Sequence, residues 1–128
     1  MKHMWTAAIL GAALAGVVPV AAHHSFAVQY DTNKPTAVKG AVTKVEWTNP
    51  HARVYVDVKL PGGELQTWNF EMASPNVLAR NGWKRDTLKA GDQITATLRP
   101  NKFGTPVGLL SRANMMVNGK ALQIGPEQ

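Results

Sequence analysis

Thr36-Ala37-Val38-Lys39-Gly40-Ala41-Val42-Thr43-Lys44-Val45-Glu46-Trp47 holds two alternating patterns joined out of phase. Val38, Gly40 and Val42 share one face of an extended strand. Val45 and Trp47 join that face only if one residue is skipped. Such a skip is what a β-bulge produces, and a glycine inside a strand allows a sharp bend. A bulged, bent strand over residues 36–47 can serve both halves of a closed sheet, pairing with one neighbour along its first part and another along its second.

Downstream, Thr48-Asn49-Pro50-His51 reads as a turn, and a second strand follows over residues 52–60. Its alternation sends Val54, Val56 and Val58 inward and Arg53, Tyr55, Asp57 and Lys59 outward. Pro61-Gly62-Gly63 closes a hairpin. The third strand, over residues 64–72, places Trp68, Phe70 and Met72 on one face and Thr67, Asn69 and Glu71 on the other. Ser74 then caps a short helix whose first position is Pro75, with Val77, Leu78 and Trp83 on its apolar side and Asn81-Gly82 at its end. A turn at residues 88–92 leads to a fourth strand over residues 93–99, in which Ile94, Ala96 and Leu98 point inward. After a polar loop at residues 100–106, a fifth strand is expected over residues 107–117. Asn118-Gly119 marks a tight hairpin, and residues 120–124 pair back. Three strands, a helix and two further strands are the order of a small five-stranded Greek-key barrel of the OB type, and the fold class is all-β.

Upstream, Lys2 precedes an apolar run rich in alanine and glycine, Pro19 breaks it, and Val20-Ala21-Ala22 supplies small residues. These are the three parts of a secretory signal peptide. Residues 4–22 come near the ~20 apolar residues of a membrane span, but a proline just before a small-residue site favours cleavage. With Val at −3 and Ala at −1 the cut falls after Ala22, leaving a chain that starts at His23 and does not span the membrane. The expected organisation is a signal at residues 1–22, an arm at residues 23–35 tied down by Phe26 and Tyr30, and a barrel over residues 36–128. The expected compartment is the periplasm.

The 128 residues include no cysteine, which excludes thiolate metal sites and thiol chemistry. The barrel therefore depends on its core alone. The formal charge of +6 comes from scattered lysines and arginines with only Lys84-Arg85 adjacent. No basic run of the recognition kind is present, so no nucleic acid partner is expected. Nucleophile motifs, phosphate loops and cofactor fingerprints are absent from the sequence, and the four carboxylates Glu46, Asp57, Glu71 and Asp92 show no acid–base spacing. The chain is not expected to be an enzyme.

His23-His24-Ser25-Phe26, Trp47-Thr48-Asn49-Pro50-His51 and the later Ala73-Ser74-Pro75-Asn76, Gly82-Trp83 and Leu88-Lys89-Ala90-Gly91-Asp92 resemble a family of small exported bacterial proteins, a domain of unknown function, along nearly the whole exported chain. The resemblance implies export and a small β-barrel, and it implies no activity.

The histidines carry the chemistry. A chain that begins with histidine can chelate one metal ion through its α-amine and ring Nδ1, and a second imidazole completes a three-nitrogen set suited to Cu(II). His23 is the candidate chelator. His51, in the turn after the first strand, is the candidate third ligand. His24 is the weaker candidate, since alternation points it away from His23 in an extended arm. A cut one residue earlier would give Ala22-His23-His24, where His24 in third place suits square-planar Cu(II) or Ni(II). The expected function is periplasmic copper binding or handling, with copper the only cofactor considered. The alternative is a metal-free module that holds a glycan, a lipid headgroup or a protein partner. Its stacking version needs Tyr55, Trp68 and Trp83 to expose their rings on one concave face. Met72, Met115 and Met116 are read as packing residues rather than Cu(I) ligands.

Overall fold

A computed structural model describes residues 29–110 and 115–122. From Thr36 onward the described residues form seven strands and one helix: β1 (Thr36–Glu46), β2 (Arg53–Lys59), β3 (Leu65–Glu71), α1 (Pro75–Arg80), β4 (Gln93–Pro100), β5 (Val107–Leu110), β6 (Met116–Val117) and β7 (Lys120–Ala121). The first five strands close on themselves in the order β1-β2-β3-β5-β4, and β4 returns to β1. All these pairings are antiparallel except β3 with β5. This closed barrel with a helix between strands three and four is the OB architecture expected from the strand order.

β1 makes the closure possible. Residues from Thr36 to Ala41 pair with β4, and residues from Ala41 to Glu46 pair with β2. The register with β2 slips between Val42 and Lys44, which leaves Thr43 as the extra residue of a bulge. Val38 and Val42 before the bulge are buried, and Val45 and Trp47 after it pack against the same core. The phase change in the sequence is therefore this bulge. Gly40 stands at the bend, where a β-carbon would collide with the Asp57 carbonyl and come 2.8 Å from Val56 Cγ1.

The barrel interior is filled from every strand of the closed sheet. Val54, Val56, Phe70, Ile94, Ala96 and Leu98 are at most 1% exposed. Val58 and Trp68, also expected inside, are only partly buried against this core. They lie toward the turn of the β2–β3 hairpin, which is held by the Leu60 N–H on the Glu64 carbonyl and the Gly63 N–H on the Leu60 carbonyl. α1 begins as its sequence dictates, with the Ser74 side chain accepting the Val77 N–H and proline in the first turn. It sends Leu78 into the core, followed by Trp83 and Leu88 from the connection to β4. Val77 does not join the apolar side but remains 43% exposed, because a helix of under two turns can bring only a narrow stripe against the barrel.

The fifth strand departs from expectation. Instead of running through residues 107–117 it is divided into β5 and β6, both antiparallel to β4. On β4 the paired positions move from Leu98 to Ile94, four residues, while on the other side they move from Leu110 to Val117, seven. The two segments are therefore out of step with each other by three residues along β4. The β6–β7 hairpin turns at Asn118-Gly119, both with positive φ (50° and 80°), as a type I′ turn requires. Residues 123 and 124, expected to continue the returning strand, lie outside the described residues.

Candidate functional site

The polypeptide before β1 is tied across the outside of the barrel. Tyr30 forms an isolated antiparallel bridge with Asn101, the Asp31 N–H donates to the Pro100 carbonyl at 2.9 Å, and the Lys102 N–H donates to the Gln29 carbonyl at 3.1 Å. The arm thus lies beside the end of β4 and the β4–β5 loop. The Tyr30 side chain is 1% exposed, and its hydroxyl donates to Glu71 Oε2. Phe26, the other expected tie, is outside the described residues.

Glu71 is the hinge of the site. Its place in the alternation of β3 puts it on the outer face opposite Arg53, yet it is only 8% exposed because the arm covers it. Its second carboxylate oxygen, Oε1, lies 3.8 Å from Nδ1 of His51. The same His51 nitrogen is 3.0 Å from the Met72 carbonyl oxygen. A carbonyl can only accept, so Nδ1 carries a proton and donates in this contact. His51 therefore has its tautomer and ring direction set by a backbone carbonyl and a nearby carboxylate, the arrangement that holds metal-binding histidines in place. The Asn49–Pro50 peptide in the turn before it is cis.

His51, Glu71 and Tyr30 come from three separate parts of the chain and meet between the β1–β2 loop, the outer face of β3 and the β4–β5 loop. Only His51 of the three was expected at a site. Glu71 was assigned to the solvent face by alternation. The clue to it was the register of the β2–β3 hairpin, which sets it opposite Arg53, together with the tyrosine of an arm that needed an anchor. Of the other candidate ligands, His23 and His24 lie outside the described residues. Among the described residues no three histidine, aspartate or glutamate side chains gather as a metal site. Met72 and Met115 are buried in the core, as packing residues should be, and Met116 is half exposed.

Burial first, then the hydrogen bond to Glu71 and the charge of that carboxylate, hold the Tyr30 phenol well above its ordinary pKa, against a smaller opposing effect of Arg53. Tyr55 is also raised, by burial and by donating to Glu46 at 3.1 Å. These are the only two tyrosines. A raised folded-state pKa means that the native protein keeps a proton the unfolded chain loses. Both groups therefore contribute stability below the ordinary tyrosine value of about 10, and that contribution is lost as pH rises above it. In an absorbance titration tyrosinate should appear later in the folded protein than in denaturant, and in Tyr30→Phe the later-titrating phenol should be the one missing. Tyr30→Phe should also lose about 1–3 kcal/mol, because a buried carboxylate is left without its donor. Tyrosinate forming near pH 10 in the folded protein would show that the arm does not seal Glu71.

The aromatic platform is not formed. Tyr55 lies on the outer face, Trp68 packs against the core with its indole N–H on Gln66 at 3.0 Å, and Trp83 is buried. Alternation alone separates Tyr55 from Trp68 across the sheet, so the three rings cannot line one concave face. The remaining buried carboxylate, Asp92, is structural. It accepts the Lys89 N–H at 3.0 Å and the Asn118 side-chain amide at 3.1 Å, fastening the β6–β7 turn to the start of β4.

The barrel, its helix and the arm that crosses its loop end define a small OB-type β domain. The chain belongs to DUF6152, a family of unknown function, which matches residues 12–112. No curated protein matches the sequence. Among solved structures the chain is similar to two crystal forms of Rim1, a mitochondrial single-stranded DNA binding protein from S. cerevisiae. Each match has a TM-score of 0.49 and covers 68% of this chain, with 6% identity over 95% of one Rim1 chain and 12% over 94% of the other. Among the described residues no helix is long and apolar enough to cross a membrane.

Proposed function

We propose that the chain is exported, is cut after Ala22, and binds Cu(II) through the α-amine and ring of His23 and through Nε2 of His51, serving periplasmic copper handling rather than catalysis. The observation that carries this reading is the orientation of His51. Its Nδ1 faces the Met72 carbonyl at 3.0 Å and a Glu71 carboxylate at 3.8 Å, and that carboxylate is also the anchor of the arm through Tyr30. Seven Cα-to-Cα steps separate Tyr30 from His23. They can extend at most about 25 Å, and the anchor from which they start is already beside His51. Copper supplies the attraction that brings three nitrogens together. Tyr30, Glu71 and the Met72 carbonyl fix the one ring that does not move with the arm.

The test is copper titration of protein processed in the periplasm, read by paramagnetic resonance for nitrogen hyperfine structure. Intact mass comes first, because protein that retains residues 1–22 has no His23 amine. His51→Ala and a variant with one residue inserted before His23 should each weaken Cu(II) binding at least tenfold and change the nitrogen pattern. Glu71→Gln, which keeps the shape but not the charge, should weaken it by about 10–100-fold, the usual effect of removing a partner that orients a ligand. A chain beginning at Ala22 should instead depend on His24 and ignore His51→Ala. Unchanged affinity in all the variants, with circular dichroism showing them folded, would overturn the copper reading and leave a metal-free module for a glycan, a lipid headgroup or a protein partner.

A further inference from the structure

Four large apolar side chains among the described residues stand exposed: Phe103 at 78%, Leu65 at 67%, Met116 at 46% and Val77 at 43%. The two most exposed share one end of the barrel. β3 begins at Leu65 and runs parallel to β5, with Asn69 beside Val107. The β2–β3 hairpin and the β4–β5 loop therefore leave the sheet at the same end, opposite the end at which β3 passes into α1. Single exposed apolar residues are ordinary on a protein surface. Here two of them sit on tips fixed by hydrogen bonds. The Phe103 N–H donates to Asn101 Oδ1 at 2.7 Å, the Asn101 N–H to the Val107 carbonyl at 2.9 Å, and the Lys102 N–H to the Gln29 carbonyl of the arm at 3.1 Å. Leu65 follows the hydrogen-bonded turn that joins β2 to β3.

We propose that this end of the barrel docks on an anionic lipid surface, with Phe103 and Leu65 entering the boundary between headgroups and acyl chains. Charge sets the choice of partner. Each apolar tip has an exposed lysine beside it: Lys102 precedes Phe103, and Lys59 stands opposite Leu65 in the ladder. Lys34, also exposed, comes shortly before β1, which begins at this end because Thr36 pairs with Leu98 of β4. Against these lysines stands one exposed carboxylate, Glu64. Asp31 and Asp57 are partly buried and accept the Asn33 N–H and the Thr67 hydroxyl. A membrane interface suits an apolar side chain flanked by lysine, because the apolar group leaves water while the ammonium stays among the phosphates. A protein partner would cover the lysines together with the apolar tips, and the cores of such interfaces are depleted in lysine.

The other end of the barrel is basic too, at Arg80, Lys84, Arg85 and Lys89, but α1 and its connection to β4 expose one large apolar side chain, Val77. The apolar tips, rather than charge alone, therefore decide which end faces the lipid. Docking needs no metal and stands apart from the copper reading. It leaves His51 at the far end, where the β1–β2 turn meets the end of β3.

The test uses the exported chain, with loss of residues 1–22 checked by intact mass and a chelator present to keep metal out. It is titrated with vesicles of phosphatidylcholine alone and of phosphatidylcholine mixed equally with phosphatidylglycerol, and binding is read by co-sedimentation. The mixed vesicles should bind about tenfold or more tightly, and salt should weaken that binding. Lys34→Gln and Lys59→Gln should each weaken it by about fivefold, the effect of one lysine at an anionic surface. Phe103→Ser should weaken it by about tenfold or more, the effect of keeping one aromatic side chain out of the apolar layer. Both tips are exposed, so these changes leave the core intact, and circular dichroism checks the fold. Because the chain has no cysteine, a single introduced thiol can carry an environment-sensitive fluorophore. On mixed vesicles the label should brighten and shift to the blue in Phe103→Cys and Leu65→Cys, but not in Ala79→Cys on the exposed side of α1. The proposal is overturned by equal binding to the two kinds of vesicle, by Phe103→Ser without effect, or by equal responses of the labels at positions 103 and 79. Absence of binding to mixed vesicles also overturns it and leaves the two tips to a protein partner.

Discussion

Phe70→Ala should lose about 3–5 kcal/mol, the range for removing a fully enclosed aromatic ring. Phe70 is 0% exposed and sits in the middle of the barrel, on β3 between Val54 of β2 and Gly108 of β5. Two features keep the vacated space from collapsing. The walls are strands held by ladders on both edges, and they cannot move inward without losing register. The neighbour across β5 is a glycine, where even a β-carbon would come 3.1 Å from Leu98, so the wall on that side is already in contact with the core. A small domain has only about 5–15 kcal/mol in total, so this change removes a large part of it. Urea unfolding should show a midpoint lower by about 1.5–3 M with an unchanged slope. Phe70→Leu, which keeps most of the volume, should lose much less. Equal losses for alanine and leucine would mean that the ring's shape rather than its volume matters, and would contradict a close-packed barrel centre.

Gly40→Ala should be nearly as damaging, at about 3 kcal/mol, although it adds a single methyl group to a strand and alanine ordinarily suits a strand better than glycine does. The added carbon meets the backbone carbonyl of Asp57 and stands 2.8 Å from Val56 Cγ1. A side chain can rotate away from such a contact, but a carbonyl in a strand cannot. Relief requires β1 to separate from β2, just where β1 passes from pairing with β4 to pairing with β2. Overpacking that moves backbone falls at or above the upper end of the usual 1–3 kcal/mol. For a domain of about 100 residues it should lower the melting temperature by about 12–24 °C. Gly62→Ala is the control: nothing lies within 4 Å of its added carbon, and its φ is not in the left-handed region, so its effect should be small. If the two substitutions behave alike, Gly40 is not the point at which the barrel closes.

The two changes probe the same property from opposite sides, since one removes volume where the barrel has no means of shrinking and the other adds it where the strands are closest. The candidate site depends on this rigidity. Glu71 follows Phe70 in β3, and His51 precedes Ala52, which is 0% exposed and exchanges backbone hydrogen bonds with Met72 and Ala73. The His51 ring is therefore held by a turn whose two ends are fixed in the core.

Local order alone decided a good deal of this structure. The phase slip between Val42 and Val45, the glycine at position 40, the Ser74-Pro75 helix start and the Asn118-Gly119 hairpin are each set by sterics within a few residues, and each appears where the sequence puts it. The alternation in β2, β3 and β4 likewise identified the inward side chains, because a strand's period of two needs no knowledge of its neighbours. Other features belong to the tertiary structure. The division between β5 and β6 shows as a mismatch of four residues against seven along a partner strand, which no single strand can reveal. The burial of Glu71 was hidden because alternation reports which face a residue occupies and not what lies over that face, and here the Tyr30 arm covers it. The Trp83 indole N–H, which is buried without an acceptor, is of the same kind: the sequence marks the ring as apolar, but whether its N–H finds an acceptor depends on how a six-residue helix settles against the barrel. His51 lies between the two groups. Its place in a turn beside a strand could be read from the chain, while the carbonyl and carboxylate that orient its ring come from residues about twenty positions away, brought there only when the sheet closes.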